Sequence, residues 1–252
     1  MSTDAEALFF AVFEPLPRQG PGSLACTARA FALCRERPSR PRIVDLGCGS
    51  GAQTLDLAGL SEGTILAIDS HAPSVERLRA TIAERGLAAR IEARVGDMAA
   101  LELEPGSVDL VWSEGALYNL GLAQALPICA GLLRPGGYLA FTDAVWRTDD
   151  PPTELRELFA EYPTMGRAAD VLSLLAAGGW DVVGHFELPA EAWWDDFYTP
   201  MERRIDELRR EHAGDEQALA VLDQIAAEPA FHRRLGHLYG YDFFVARRPE
   251  AG

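Results

Sequence analysis

The run Val44-Asp45-Leu46-Gly47-Cys48-Gly49-Ser50-Gly51 constrains this chain more than any other stretch. Glycines at alternate positions let a backbone turn sharply and approach a ligand with no Cβ in the way. Immediately upstream, Arg42 to Leu46 is a short β-branched run that reads as a buried strand; downstream, AQTLDLAGL repeats apolar residues at helical spacing. Strand, glycine turn and helix in that order open a βαβ unit. The same rhythm continues through the strand TILAID, the helix SVERLRATIAERG stopping at Gly86, and the strands IEARVGDM and SVDLVWSEG. It closes with a helix, LAQALPICAGLLRPGG, ended by its Pro-Gly-Gly turn, and the strand YLAFTDAVW. This alternation predicts an α/β fold with a doubly wound, Rossmann-like and mostly parallel sheet.

Beyond Trp146 the rhythm loosens. PPTELRELFAEYP and RAADVLSLLAAGGW read as helices, DVVGHFELP as a strand, and YDFFVARR as a last strand. The long aromatic and charged stretch between those two strands carries helical patterning, which predicts a lid, since structureless loops of that length are uncommon. The expected organisation is a single domain over 1–252: an N-terminal helical cap (1–40), a Rossmann-like core (41–188), a helical lid insertion (189–238), and a last strand and tail (239–252).

Charge narrows the partners. A formal net charge of -15 over 252 residues argues against nucleic acid, because affinity for polyphosphates comes mainly from Lys and Arg. The four cysteines, Cys26, Cys34, Cys48 and Cys129, form no metal-like spacing, and no metal site is expected. The start of the chain lacks the basic region of a signal peptide, and no apolar run approaches a membrane span. A cytoplasmic protein with a small-molecule substrate, no nucleic acid and no membrane partner is the expectation; a homodimer is left open.

Three acidic positions give the glycine loop its meaning. Asp45 precedes Gly47 by two residues. A carboxylate at that strand end repels a pyrophosphate but suits a cationic ligand with an ammonium group, such as S-adenosylmethionine. Asp69 ends the second strand about 20 residues on, where a doubly wound fold places the acid that accepts ribose hydroxyls; it could equally cap the next helix. Asp97, in Gly96-Asp97-Met98, can accept from an adenine amine while a neighbouring N–H donates to the ring.

Taken together, these residues resemble the class I S-adenosylmethionine-dependent methyltransferases. DLGCGSG matches the first motif, AID the second, GDM the third, SVDLVWSEGALYNL the fourth-strand region, and LLRPGGYLAFTD the fifth strand. The resemblance covers residues 42–146 and is greatest to the quinone-biosynthesis-like, small-molecule branch. It implies a seven-stranded sheet whose last strand is antiparallel and inserted between strands five and six. It also implies that Asp45 and Gly47 lie by the amino-acid end of the cofactor, Asp69 by the ribose, Asp97 and Met98 by the adenine, and Ser113-Glu114-Gly115 by the methionine portion and the methyl group. Gly49, Gly51, Ser70 and Gly96 complete the expected cofactor contacts. The Asn-Pro-Pro-Tyr or Asp-Pro-Pro-Tyr motif of amino-methylating nucleic-acid enzymes is replaced by SEGALY.

Methyl transfer from a sulfonium needs alignment and exclusion of water, with a base only where the acceptor carries a proton. Glu114, at the C-terminal end of the fourth strand, is the candidate base, or alternatively binds the cofactor's ammonium or caps a helix. Tyr118, Asp143 and Trp146 share that edge as candidate substrate contacts. Trp194 and Tyr198, in the run Trp193-Trp194 to Tyr198, would cover a substrate or pack the lid. Arg18 and Gly22, in Arg18-Gln19-Gly20-Pro21-Gly22-Ser23, mark a loop that folds over the ligand or simply joins two helices. His185 reads as structural. Two rival readings remain: an NAD-linked oxidoreductase on a similar fold, and a non-catalytic S-adenosylmethionine-binding protein.

Overall fold

The computed structural model describes residues 3–249, and side chains from Ala5 onward. Parallel strands β1 (Arg42–Leu46), β2 (Thr64–Asp69), β3 (Ile91–Val95), β4 (Val108–Glu114), β5 (Leu133–Trp146) and β6 (Asp181–Glu187) join the antiparallel β7 (Tyr239–Arg247) in one sheet. The strand order is β3-β2-β1-β4-β5-β7-β6. This is the predicted doubly wound sheet, with β7 lying between β5 and β6. The switch in strand order between β1 and β4 opens a crevice at the strands' carboxyl ends, where such folds bind ligands.

Side chains alternate across each strand, so both faces are apolar and both are covered. Ile43, Trp112 and Phe243 face helices α2 (Leu24–Leu33), α3 (Ala52–Leu60) and α4 (Ala72–Glu84); Val44, Phe141 and Phe244 face α5 (Leu122–Leu132) and, after the short α6 (Thr153–Leu158), α7 (Ala168–Ala177). A third apolar cluster lies beyond the carboxyl edge of the sheet. It joins α1 (Thr3–Phe13) to α8 (Glu191–Trp193), α9 (Thr199–Glu211) and α10 (Glu216–Leu235) through residues such as Val12, Phe197, Met201 and Leu222. A π-helical turn, Trp194–Tyr198, links α8 to α9.

Three features depart from expectation. The stretch read as one N-terminal cap divides at its Gly-Pro-Gly break: α1 joins the roof, whereas α2, capped where Ser23 accepts from the Cys26 N–H at 3.2 Å, packs on the sheet. The Pro135-Gly136-Gly137 turn does not separate α5 from β5. Leu133 already pairs with Val108, and the pairing resumes at Tyr138 with Leu110, so the turn is a bulge within the strand. The roof also takes Leu155, Phe159 and Tyr162 from the segment assigned to the core.

Candidate functional site

Between the sheet edge and the roof runs a cleft of about 670 Å³. Its sheet side is the glycine loop. Gly47, Gly49 and Gly51 have φ of 73°, 53° and 91°, the left-handed region that favours glycine. Space demands glycine as well, because a Cβ at these positions would overlap Ala116, Gln19 and Leu78 respectively.

The loop's own donors are spoken for. Gly47 N and Cys48 N donate to Ile68 O (2.8 and 3.1 Å), Gly49 N to Asp69 Oδ2 (2.8 Å), Ser50 N to Gln19 Oε1 (2.9 Å) and Gly51 N to Cys48 O (2.9 Å). A diphosphate at a helix N-terminus needs such N–H groups pointing at it. Here five in succession already have acceptors. The surrounding charge is also wrong for a polyanion, since Asp45, Asp56, Asp69 and Glu114 all lie about this loop.

Each acid has its own setting. Asp69 accepts from Gly49 N and, at 2.8 Å, from His71 N, which leaves about two of a carboxylate's four lone-pair directions facing the cleft. Asp97 accepts from Ala99 N at 2.8 Å through one oxygen. Asp45 is fully buried beneath the loop, held by Thr54 Oγ1 (2.5 Å) and Gln53 Nε2 (3.3 Å). Burial, abetted by nearby Glu114, pushes its carboxyl up to about 7 despite the Thr54 bond. Asp45 therefore does not itself reach the cleft; Gln53, which also approaches Gly47 O at 3.4 Å, does.

Glu114 lines the cleft but is not a free base. Oε1 accepts from Trp112 Nε1 (2.9 Å) and Thr27 Oγ1 (2.8 Å), and Oε2 pairs with Arg18 Nη1 at 3.1 Å. Three donors, one of them a guanidinium, occupy both oxygens of this carboxylate. Arg18 is itself buried and also paired with Asp56. The two ion pairs occupy two of its five N–H donors.

Arg18 and Gln19 belong to a strap, residues 14–23, that crosses the cleft. Arg18 N donates to Asp196 O (3.2 Å) and Gly22 N to Ala192 O (3.0 Å), fastening the strap to the roof. Gln19 fastens it to the glycine loop. Gly22 does not line the cleft; its missing Cβ makes room for the Arg18–Glu114 pair, since a methyl there would stand 2.9 Å from Arg18 Nη1. Beside Asp69, α1 closes in: Phe10 stacks on His71 (4.0 Å between ring centres), whose Nε2 is 3.1 Å from Glu14 Oε1.

Of the expected site residues, the cleft gathers Arg18, Gly47, Gly49, Gly51, Asp69, Ser70, Gly96, Asp97, Met98, Glu114, Tyr118 and Tyr198. Six others lie off its wall. Besides Asp45 and Gly22, Ser113 is buried with its hydroxyl on Leu46 O (2.8 Å). Asp143 is buried behind Tyr162, whose hydroxyl donates to it at 2.7 Å, and its carboxyl is pushed up to about 7 by burial. Trp146 donates to Met165 O (2.9 Å) and lines a separate hollow, and Trp194 lies under the Arg233 guanidinium. The cleft adds residues that the sequence did not single out: Phe10, Gln53, Tyr162, Glu228, Tyr239 and Tyr241. Only Tyr239 and Tyr241 carried a signal, as tyrosines two apart on one strand face.

A doubly wound sheet bearing a glycine loop, an acid at the end of β2 and a helical roof is the α/β fold shared with solved methyltransferases. Residues 43–137 match the family described as a methyltransferase domain. It is similar to a methyltransferase from Geobacter sulfurreducens solved with S-adenosyl-L-homocysteine (TM-score 0.82, 21% identity, covering 95% of this chain and 97% of that one). Over 102 residues it is 35% identical to a dimethylglycine N-methyltransferase of Parasynechococcus marenigrum, covering 40% of this chain and 36% of the relative. Over 144 residues it is 28% identical to the O-methyltransferase cnsE of Penicillium expansum, covering 56% and 52%. The chain thus spans between a third and a half of these curated relatives. Neither of their names points to the quinone-biosynthesis-like branch.

Proposed function

We propose that this protein is an enzyme that transfers the methyl group of S-adenosylmethionine to a small molecule. The observation that carries this reading is the internally satisfied glycine loop set among carboxylates. It offers glycine backbone, acceptors and negative potential to a cationic nucleoside, and to a diphosphate a loop whose five N–H groups, Gly47 to Gly51, already have acceptors. An NAD-linked oxidoreductase would need those donors.

In this reading Asp69 accepts the ribose hydroxyls and Asp97 the adenine amine, with Gly96, Met98, Ser70 and the Phe10–His71 stack around the base. Gly47 and Gly49 allow the amino-acid portion to pass close to the backbone. Arg18 meets its carboxylate with donors left over from Glu114 and Asp56. Asp45 acts from below, orienting Gln53 and Thr54. S-adenosylmethionine supplies a methyl on a sulfonium whose departure needs no acid. The chain's part is to align the acceptor and keep water out, which the strap and aromatic roof do. Glu114 serves here by fixing Arg18, Thr27 and Trp112. The relatives' names span nitrogen and oxygen acceptors, so likeness does not choose the acceptor atom. The acidic balance of the chain supports a small molecule over nucleic acid.

Calorimetry with S-adenosylmethionine, S-adenosylhomocysteine and NAD tests the reading. Saturable binding of the first two and none of NAD is expected, followed by transfer of labelled methyl to a small-molecule panel. Binding of NAD alone would overturn it. Binding without turnover on any acceptor would favour the non-catalytic rival.

A further inference from the structure

The lobe of the cleft away from the glycine loop has chemistry that methyl donation leaves unused. Its wall is largely ring: Tyr118, Tyr162, Trp193, Tyr198, Tyr239 and Tyr241. Two carboxyl groups enter this wall, Glu228 from α10, accepting from Tyr198 Oη at 3.0 Å, and Glu161 beside Tyr162. A third, Asp143, stands one layer back on the Tyr162 hydroxyl.

Among the described residues no guanidinium answers them. All 23 of the chain's Lys and Arg positions are arginine, and Arg18, which alone among the described arginines lines the cleft, is at the other end, committed to Glu114 and Asp56. The nearest imidazole, His232, is stacked on Trp193 (4.2 Å between ring centres) and shares a hydrogen bond with Tyr239 Oη at 3.1 Å; burial lowers its pKa to about 4, so it stays neutral. A carboxylate drawn into a wall of rings without a counter-ion is costly, and ring faces themselves attract cations within about 6 Å. An anionic acceptor would meet Glu228 and Glu161 as like charges. A neutral apolar one would leave them unpaired.

Resting on the reading that the glycine-loop lobe holds S-adenosylmethionine, we propose that the aromatic lobe is a cation site for an amine, and that the amine nitrogen is the methyl acceptor. The ammonium gives one proton to the Glu228 carboxylate. The freed nitrogen lone pair forms the N–C bond as the C–S bond breaks, and sulfur keeps that electron pair as a neutral thioether. The product leaves as a methylated ammonium, and the proton on Glu228 passes to water.

The test uses the full chain saturated with S-adenosylhomocysteine, choline as the cation probe, and 3,3-dimethylbutan-1-ol as its uncharged isostere. Binding is followed by tryptophan fluorescence and by ligand-observed NMR. Choline is expected to bind at least about tenfold more tightly than the alcohol, a difference worth one cation–π and charge contact. Glu228→Gln should erase most of that preference with S-adenosylhomocysteine affinity unchanged, and the more exposed Glu161→Gln a smaller part. Equal or tighter binding of the alcohol, or no binding of either, overturns the proposal, and this wild-type comparison decides the matter even if Glu228→Gln fails to fold. Labelled methyl appearing on phenols or carboxylic acids but not on amines also overturns it, while leaving the methyltransferase reading intact. Failure of S-adenosylhomocysteine to bind at all instead removes the reading on which the inference rests.

Discussion

The two walls of the cleft hold their shape by different means. On the sheet side, the positions that matter sit in three short loops, and backbone fixes them: left-handed glycines, N–H groups donating to Ile68 O and Asp69, and an acid buried under the turn. On the roof side, ring packing does most of the work. Rings carried by α1, the 158–162 segment, the π-helical turn, α10 and β7 lean on one another, as in the contacts of Trp193 with Tyr198, His232, Tyr239 and Tyr241. A backbone-built wall tolerates few substitutions and recognises one ligand. A ring-built wall can be repacked, so the two walls suit an invariant cofactor and a variable acceptor respectively.

Substitutions can break that contrast. Gly47→Ala should do most damage, combining a left-handed φ with overlap on Ala116. A loss of about 3 kcal/mol is expected, seen as a Tm lowered by roughly 6–12 °C and cofactor binding lost in calorimetry; near-wild-type behaviour would mean the loop does not need its glycines. Asp69→Ala should come next, weakening S-adenosylhomocysteine by about 10–100-fold through lost charge-assisted bonds. Glu114→Gln sharpens the contrast. If the carboxylate positions Arg18 and Thr27, cofactor affinity falls by roughly tenfold and kcat follows only as far as occupancy does. A collapse of kcat at saturating cofactor would restore its role as base.

Smaller effects probe the buried acids. Burial disfavours the charge of Asp45 and Asp143 and pushes both carboxyls up to about 7. The native state therefore holds protons that the unfolded chain releases above about pH 4. Their contribution to stability is full below about pH 4 and is lost as pH rises toward about 7, so the Tm of the ligand-free protein should fall across that window. Asp143→Asn should flatten part of the slope. Tyr198→Phe, which removes one ring hydroxyl from the roof, should change acceptor KM several-fold with cofactor affinity unmoved; a shift in both would show that the walls are not independent.

The same contrast explains what could be read from sequence. The loops after β1, β2 and β3 were legible because each is a contiguous motif, whereas the insertion of β7 between β5 and β6 followed from the resemblance to a known family and not from any local pattern. Asp45 was legible as important but not as buried, since spacing does not say whether Thr54 and Gln53 will cover a carboxylate. Glu114 looked like a base because Arg18, 96 residues away, is invisible to any local pattern. Tyr162, Glu228 and Tyr241 come together only through packing of distant helices onto a strand. The Pro135-Gly136-Gly137 turn looked like a boundary, although tertiary pairing carries the strand through it.

The strap over residues 14–23 has a consequence for turnover. Its Arg18 and Gly22 N–H groups hook it to carbonyls of the roof, and the side chains of Arg18 and Gln19 hook it to Glu114, Asp56 and Ser50. On the proposed function, a departing nucleoside unfastens the same ribbon that steadies the acceptor's chamber. Loading and unloading of the two compartments are thereby sequenced by one piece of chain, which steady-state kinetics would register as a compulsory order of addition.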